Sequence, residues 1–286
     1  MTGVAVLGYL SIDAVSHGDG APRRQPGGAA LYAALGATLA GARTAIVAGV
    51  GPDWPDAWTE ALRHAGIDIA GIDRRDHPTR RTRIRHGDGA RQSPHFGQAD
   101  WLAATLAHRP DPARAEAGFL VATPMPVDAL DRILDAAQGR PVIADTSEWV
   151  AASQAEALRR ALPGLAVFAP SLEETRLLCP GLGDDDAALA LAASGPCIVQ
   201  KRGSAGLVVA QGAALHRLPA HPATVVDPTG AGDATVGAIA AGLARALPPL
   251  EAARAALAIG ARAVSGLGPQ GLGLSVPAQT LLEEIP

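Results

Sequence analysis

The sequence predicts an α/β fold with a mostly parallel central sheet that is covered by helices on both faces. Short apolar segments alternate with Ala-rich or amphipathic segments along most of the chain, as expected when crossover helices connect parallel strands. A chain of 286 residues can bury a large core, and one α/β domain of this size is ordinary. We therefore expect a single domain over residues 1–286.

The individual elements follow one another in a regular order. A first strand is predicted at 4–10, an Ala-rich helix at 29–40 and a second strand at 44–48. Further short apolar strands are predicted at 118–122, 141–144, 165–169 and 197–200, with helices at 127–137, 154–161 and 187–193 between them. Residues 234–267 are predicted to be almost entirely helical.

An Arg-rich stretch at residues 74–91 interrupts this order. It alternates polar and β-prone residues around Gly87-Asp88-Gly89, which is typical of an exposed hairpin. One interpretation is an ordinary solvated edge hairpin, whose arginines oppose aggregation.

Composition excludes several classes of protein. The formal charge of −4, without a basic run, argues against a nucleic-acid partner. No apolar run reaches transmembrane length, and the chain enters its first strand without a charged signal-peptide head, so we expect a cytoplasmic protein with no membrane partner. Cys179 and Cys197 have no metal-binding spacing and are predicted to be buried thiols.

The most informative segment is Asp227-Pro-Thr-Gly-Ala-Gly-Asp233, which precedes a helix of small residues. Gly230 and Gly232 let the backbone turn sharply and present N–H groups, and the helix start adds further donors and a positive dipole end. Such a turn can hold a phosphate. Asp233 either caps the helix or accepts a proton from an alcohol during phosphoryl transfer.

This segment resembles the C-terminal signature of the ribokinase-like (phosphofructokinase-B type) carbohydrate kinases. The strings Val4-Ala-Val-Leu-Gly-Tyr-Leu-Ser-Ile-Asp13 and Pro26-Gly-Gly-Ala-Ala-Leu-Tyr-Ala-Ala-Leu-Gly36 resemble the family's opening strand and its N-terminal signature. Residues 41–53 and 60–68 continue the likeness, so counterparts run from about residue 4 to 277. The resemblance implies a three-layer α/β/α sandwich with a small β lid around 14–25 and 74–98, and a monomer or homodimer.

The resemblance also implies the chemistry of the site. Asp233 would be the catalytic base, and the amides of Gly230, Ala231 and Gly232 would form an anion hole for the phosphoryl group of ATP. The activity would be ATP-dependent phosphorylation of a small polyol: a sugar, a cyclitol or a nucleoside. The alternative is a non-catalytic sugar- or nucleotide-binding regulatory member of the same fold.

For the acceptor, the resemblance implies binding by Asp13 and by the diglycine Gly27-Gly28. Tyr32 stands where the family usually carries an Asn that bonds sugar hydroxyls, and Tyr fills much more space. Residues 122–126 lack the acidic residue of ribokinases proper. These departures argue against ribose, and Asp13 could instead be a turn cap.

For the nucleotide, the resemblance assigns Glu174 a link to Mg²⁺ through water, although Ser171 replaces the family's Asn. The alternative for Glu174 is a first-turn helix acid. Lys201, the only lysine in the chain, and the turn glycines Gly203 and Gly206 would lie beside the phosphates. Lys201 could equally be a surface lysine.

The same resemblance places the helix at 255–264, with Gly260, beside the adenine. It also assigns Asp227 and Thr229 to a monovalent cation such as K⁺, for which oxygen ligands are suitable. Asp227 could equally fix the corner by accepting backbone N–H bonds.

Two other enzyme classes lack their motifs in this chain. Residues 8–13 do not carry the Gly-x-Gly-x-x-Gly of a dinucleotide-binding fold after the first strand. Lys201 is followed by Arg202 and not by Ser or Thr, which excludes a P-loop.

Overall fold

The structure is a computed structural model, which describes residues 3–17, 21–86, 99–276 and 279–280. The strands are β1 Val4–Leu7, β2 Ser11–His17, β3 Arg23–Gly27, β4 Thr44–Val50, β5 Ile67–Arg74, β6 Arg81–His86, β7 Phe119–Ala122, β8 Val142–Ala144, β9 Val167–Phe168, β10 Cys197–Lys201, β11 Leu207–Gln211, β12 Ala214–Leu218 and β13 Gln279–Thr280. The helices are α1 Ala29–Leu39, α2 Asp56–His64, α3 Ala99–Ala107, α4 Val127–Asp135, α5 Glu148–Ser153, α6 Ala155–Ala161, α7 Leu172–Leu178, α8 Asp184–Ala192, α9 Ala231–Ala244 and α10 Pro249–Val264.

A central sheet of nine strands runs through the described part of the chain in the order β12-β11-β10-β9-β8-β7-β1-β4-β5. All neighbouring strands from β5 to β10 are parallel, and only the β10-β11-β12 end is antiparallel. Apolar side chains of β1 alternate between two separate cores, with Val4 and Val6 on one face and Ala5 and Leu7 on the other. Both faces of the sheet are therefore covered, which confirms the predicted three-layer α/β/α sandwich.

Two small-residue helices pack unusually closely on one face. A Cβ atom built on Gly36 of α1 would lie 2.1 Å from the carbonyl oxygen of Ala234, and one built on Gly237 of α9 would lie 1.8 Å from that of Ala33. The two backbones thus approach each other where neither helix has room for a methyl group. This contact fixes α1 and α9 relative to each other, and the N-terminal ends of both helices border the site described below.

A second, smaller sheet has the strand order β13-β3-β2-β6. β2 pairs antiparallel with β3 and parallel with β6, and the short strand β13 joins the outer edge of β3. This confirms the predicted small lid sheet. The lid strand β2 begins at Ser11, which is earlier than the predicted bound of residue 14.

Two sequence predictions differ from the structure, and part of the lid prediction falls on residues that the structure does not describe. The first predicted strand, 4–10, is two elements, because β1 ends at Leu7 and β2 of the lid sheet starts at Ser11. The predicted Arg-rich hairpin at 74–91 starts too early, because Arg74 is the last residue of β5 in the central sheet and the lid strand β6 begins only at Arg81. Its turn at 87–89, the rest of the predicted lid to residue 98, and residues 18–20 lie outside the described residues.

Asp53 joins the lid to the central sheet. Its two carboxylate oxygens accept the Thr79 N–H at 2.7 Å and a guanidinium N–H of Arg81 at 2.9 Å. Its backbone carbonyl accepts a bond from Arg24 of β3 at 3.1 Å.

Within the described residues, no helix is long and apolar enough to cross a membrane.

Candidate active site

The corner at residues 227–233 has a fixed backbone. Gly230 caps α9 in the left-handed conformation, with φ 75°, and Asp233 lies in the first helical turn. Both oxygens of the buried Asp227 carboxylate accept backbone N–H bonds, one from Thr229 and one from Gly268, each at 2.9 Å. Asp227 therefore fixes the corner, as one of its two interpretations predicts, while a cation role for Asp227 and Thr229 stays a prediction.

The ring of Tyr32 lies directly against this corner. A Cβ atom built on Gly230 would lie 2.1 Å from two ring carbons of Tyr32, which is 2% exposed. Only glycine satisfies both the positive φ and this ring contact. Tyr32 therefore occupies the boundary between the glycine turn and the N-terminal diglycine.

The diglycine supports Asp13 through close contact. A Cβ atom built on Gly27 would lie 1.9 Å from Asp13 Oδ2, and Gly28 starts α1 with φ 97°, where a Cβ would lie 2.4 Å from the Tyr9 carbonyl oxygen. Asp13 is 3% exposed and accepts a bond from the Ser11 hydroxyl at 2.6 Å. Gly27 thus lets β3 approach a carboxylate that is held in one place, and Gly28 lets the start of α1 approach the backbone of residues 9–11.

Glu174 lies at the start of α7 in a capping box with Ser171. The Ser171 hydroxyl accepts the Glu174 N–H at 3.1 Å, and Glu174 Oε2 accepts the Ser171 N–H at 2.7 Å. Burial raises the pKa of Glu174 to about 7; the Lys201 charge lowers it and the Asp145 charge raises it. Ser171, the residue that departs from the family pattern, is therefore the helix cap that orients this carboxylate.

Lys201 is a buried lysine with a carboxylate partner, which excludes the surface-lysine interpretation. Its Nζ donates to both oxygens of Asp145 at 2.6 Å, and the two side chains are 14% and 3% exposed. Asp145 is a site residue that the sequence reasoning missed. The available signal was its position directly after the predicted strand 141–144, because side chains at the carboxyl ends of parallel strands meet at one edge of the sheet.

One cavity of about 400 Å³ joins these features. The predicted site residues that line it are Asp13, Gly28, Tyr32, Glu174, Lys201, Gly203, Thr229, Gly230, Gly232 and Asp233. Of the others, Gly27 and Asp227 support lining residues from behind, and Ala231 starts α9 between Gly230 and Gly232.

Gly206 and Gly260 do not line this cavity. A Cβ atom on Gly206, at φ 90°, would lie 2.0 Å from the Leu218 carbonyl oxygen, so this glycine lets β11 start against the end of β12. Gly260 lies within α10, where a Cβ atom would lie 2.7 Å from the Thr235 hydroxyl of α9. Both have packing roles, and their nucleotide contacts stay predictions.

The lid contributes side chains that the sequence analysis did not single out. Arg80, Thr82 and Ile84, in and just before β6, line the same cavity as Asp13 and Tyr9. Burial lowers the pKa of Arg80, and the charge of Asp13 partly offsets that effect. These positions favour a lid over the interpretation of a purely solvated edge.

Comparison with known proteins places this geometry in context. The sequence model of the pfkB family carbohydrate kinases matches residues 1–275. A cytidine kinase of Thermococcus kodakarensis is 30% identical over 268 residues, which cover 90% of this chain and 94% of that protein.

Solved structures give the same fold. A ribokinase of Thermotoga maritima has a TM-score of 0.78 at 22% identity, over 95% of this chain and 96% of its own. An E. coli protein described as a ribokinase II, in complex with ATP and Mg²⁺, has a TM-score of 0.80 at 23% identity, over 96% of both chains. A Burkholderia thailandensis nucleoside kinase in complex with inosine has a TM-score of 0.80 at 21% identity, over 93% of both chains.

Proposed function

The chain belongs to the pfkB family of carbohydrate kinases, and we propose that it transfers the γ-phosphoryl group of ATP to a hydroxyl group of a small sugar, cyclitol or nucleoside. The observation that carries this proposal is the shared cavity, in which Asp13 and Asp233 line the same space as the glycine turn. An acceptor hydroxyl and a phosphate could meet there without crossing a wall of the protein.

In this mechanism the acceptor is held by Asp13, whose carboxylate accepts hydrogen bonds from a pair of hydroxyls. Asp233 accepts the proton of the reacting hydroxyl, and the oxygen attacks the γ-phosphorus in line with the leaving oxygen of ADP. The N–H groups from Gly230 to Gly232 and the start of α9 stabilise the negative charge on the moving group.

The cavity wall at Glu174 is suitable for Mg²⁺ bound together with the phosphates of ATP. Glu174 supplies carboxylate oxygens there, which are the donors that Mg²⁺ prefers, and the described residues contain no dense His, Cys, Asp and Glu cluster of the kind that cages a metal by itself. An ion bound together with the nucleotide would neutralise phosphate charge. Glu174, oriented by its capping box, would hold it through water.

A monovalent cation next to Asp227 and Thr229 is a separate part of the proposal. Each Asp227 oxygen already accepts one backbone N–H, so a cation would share a carboxylate whose position is fixed. If K⁺ acts there, turnover measured in K⁺ should exceed turnover measured in tetramethylammonium at the same ionic strength.

The direct test is a screen for acceptor-dependent ADP release with Mg·ATP. Cytidine and other nucleosides come first because the Thermococcus relative is named for cytidine, and pentoses, hexoses and inositols follow. Asp233→Asn should lower turnover by about 10²- to 10⁴-fold, the usual contribution of a general base, while ATP binding is retained. ATP binding without release from any acceptor would support the non-catalytic alternative.

A further inference from the structure

Beside the glycine turn at 230–232, the cavity contains one charged side chain, Lys201, that has no role in the reaction as proposed above. Lys201 is the only lysine among the 286 residues, and its side chain lies across the glycine turn. A Cβ atom built on Gly232 would meet Cδ of Lys201 at 3.5 Å and Nζ at 3.6 Å. The ammonium group is therefore next to the amides that would face a phosphoryl group.

Asp145 determines where this ammonium lies. Both of its oxygens accept bonds from Lys201 Nζ at 2.6 Å, and Oδ1 also accepts the N–H of Thr146 at 2.8 Å. The carboxylate is thus anchored to the backbone directly after β8, two strands away from the lysine on β10. A lysine side chain has four rotatable bonds, so a carboxylate that accepts through both oxygens and is itself anchored to the backbone removes most of its alternative positions.

The charges around Lys201 favour its ammonium form. Burial alone would lower the pKa of Lys201, but Asp145, Glu174 and Asp233 together raise it above its ordinary value. An ammonium in this cavity is therefore charged at neutral pH. A buried ion pair is a weak source of stability, because desolvation offsets most of the attraction. The location of this pair on a cavity wall is better explained by a task in the cavity.

We propose that Asp145 is a positioning residue that holds the Lys201 ammonium beside the glycine turn, ready to donate to the phosphate chain of the nucleotide. When nucleotide binds, one ammonium N–H donates to a phosphate oxygen, and Asp145 keeps the ammonium in place through at least one of its two bonds. No covalent bond changes in this exchange. The inference rests on the proposed ATP-dependent function for its place in turnover, but the binding step can be measured without catalysis.

The single lysine makes a direct measurement possible. Protein grown with ¹³C-lysine gives one lysine ε-CH₂ resonance, and that resonance reports on Lys201 alone. We expect it to shift when ADP, and separately ATP without acceptor, is added in the presence of Mg²⁺. In Asp145→Asn, the resonance of the nucleotide-free protein should already differ, and its response to nucleotide should be weaker. An unchanged lysine resonance at saturating nucleotide would overturn the proposal.

The kinetic test separates positioning from simple stabilisation. Asp145→Asn should lower kcat/KM for ATP by about 10- to 100-fold, the usual effect of losing a charged hydrogen bond, while KM for the acceptor changes by less than about threefold. The matched control is Asp184→Asn, which removes a carboxylate from the exposed pair with Arg176 and should leave both constants unchanged. Equal losses toward both substrates would contradict the positioning role.

A second variant covers the case in which Asp145→Asn does not fold. Lys201→Met keeps most of the length of the side chain and removes its charge, and it should weaken ATP binding in calorimetry by a similar factor. Normal ATP affinity in Lys201→Met would overturn the proposal. If no acceptor is phosphorylated by the wild-type protein but the lysine resonance still responds to ADP in an Asp145-dependent way, the proposed reaction fails and this inference stands.

Discussion

The substitution Gly27→Ala tests the acceptor site with a single methyl group. The added Cβ would lie 1.9 Å from Asp13 Oδ2 and 2.2 Å from its carboxyl carbon. Gly27 does not have a positive φ, so alanine introduces no backbone strain there. The methyl group therefore acts on the Asp13 carboxylate and not on the conformation of β3.

The size of the effect follows from this distance. To restore ordinary van der Waals contact, the carboxylate must retreat by about 1.5 Å, which takes a hydrogen bond to a substrate hydroxyl out of range. The existing bond from the Ser11 hydroxyl, at 2.6 Å, resists that movement and would be lost with it. A hydrogen bond to a charged group contributes about 1.5–3 kcal/mol, so kcat/KM for the acceptor should fall by about 10- to 150-fold.

The assay is ADP release at varied acceptor and fixed saturating Mg·ATP, followed by the converse titration. The acceptor KM should rise, whereas KM for ATP should stay within about threefold of wild type. Gly183→Ala is the matched control, because Gly183 also lacks a positive φ and its added Cβ meets only the end of the Asp186 side chain, at 3.3 Å. A folded Gly27→Ala enzyme with normal acceptor kcat/KM would refute the assignment of Asp13 to the acceptor.

Two further substitutions test the turn and the lid. Gly230→Ala combines a left-handed φ, which costs about 1–2 kcal/mol, with a clash against the Tyr32 ring, so it should lower Tm and turnover together. Gly212→Ala is the control: its φ is 57°, and beyond its chain neighbours no atom lies within 4 Å of the added Cβ, so it should lower Tm alone. Comparable turnover losses in both variants would count against the role of the turn. Asp53→Asn should destabilise the protein by about 1–3 kcal/mol because it removes a charged acceptor. Burial tends to raise the Asp53 pKa, but the Thr79 N–H and Arg81 outweigh it and keep the pKa below its usual value. The stabilisation by the Asp53 carboxylate is therefore fully present above about pH 3.9, the pKa in the unfolded chain. It is lost as the pH falls through the lower pKa of the folded protein. A wild-type to variant difference in Tm that does not shrink in acid would contradict this reasoning.

The features that could be predicted from sequence are those that leave a local mark. Gly28 and Gly230 have a positive φ at the starts of α1 and α9, Gly27 and Gly232 lie next to them in the chain, and the carboxylates Asp13 and Asp233 line the same cavity in the structure. The alternation of apolar segments likewise predicted the layered α/β fold. The signature at 227–233, which carries both the glycine turn and Asp233, is contained within seven consecutive residues.

The features that were missed depend on distant partners. Asp145 is an ordinary aspartate in its local sequence, and it becomes a site residue only because β10 brings Lys201, 56 residues away, to the same edge of the sheet. The strand after Gly8 could not be assigned to a second sheet from its composition, since apolar residues continue across the break from Val6 and Leu7 through Tyr9, Leu10 and Ile12, all of them buried. Arg80 acquires its environment only when β6 pairs with β2.

The close contact between α1 and α9 has a consequence for how the acceptor range of this enzyme can change. A methyl group at Gly36 or Gly237 would collide with a backbone carbonyl. Single substitutions at this contact therefore cannot change the spacing between the diglycine and the glycine turn gradually. The lid strand β6, in contrast, presents Thr82 and Ile84 to the cavity from an independent sheet. Selection or design for a larger or smaller acceptor should therefore find tolerated changes at Thr82 and Ile84, and few where α1 packs against α9.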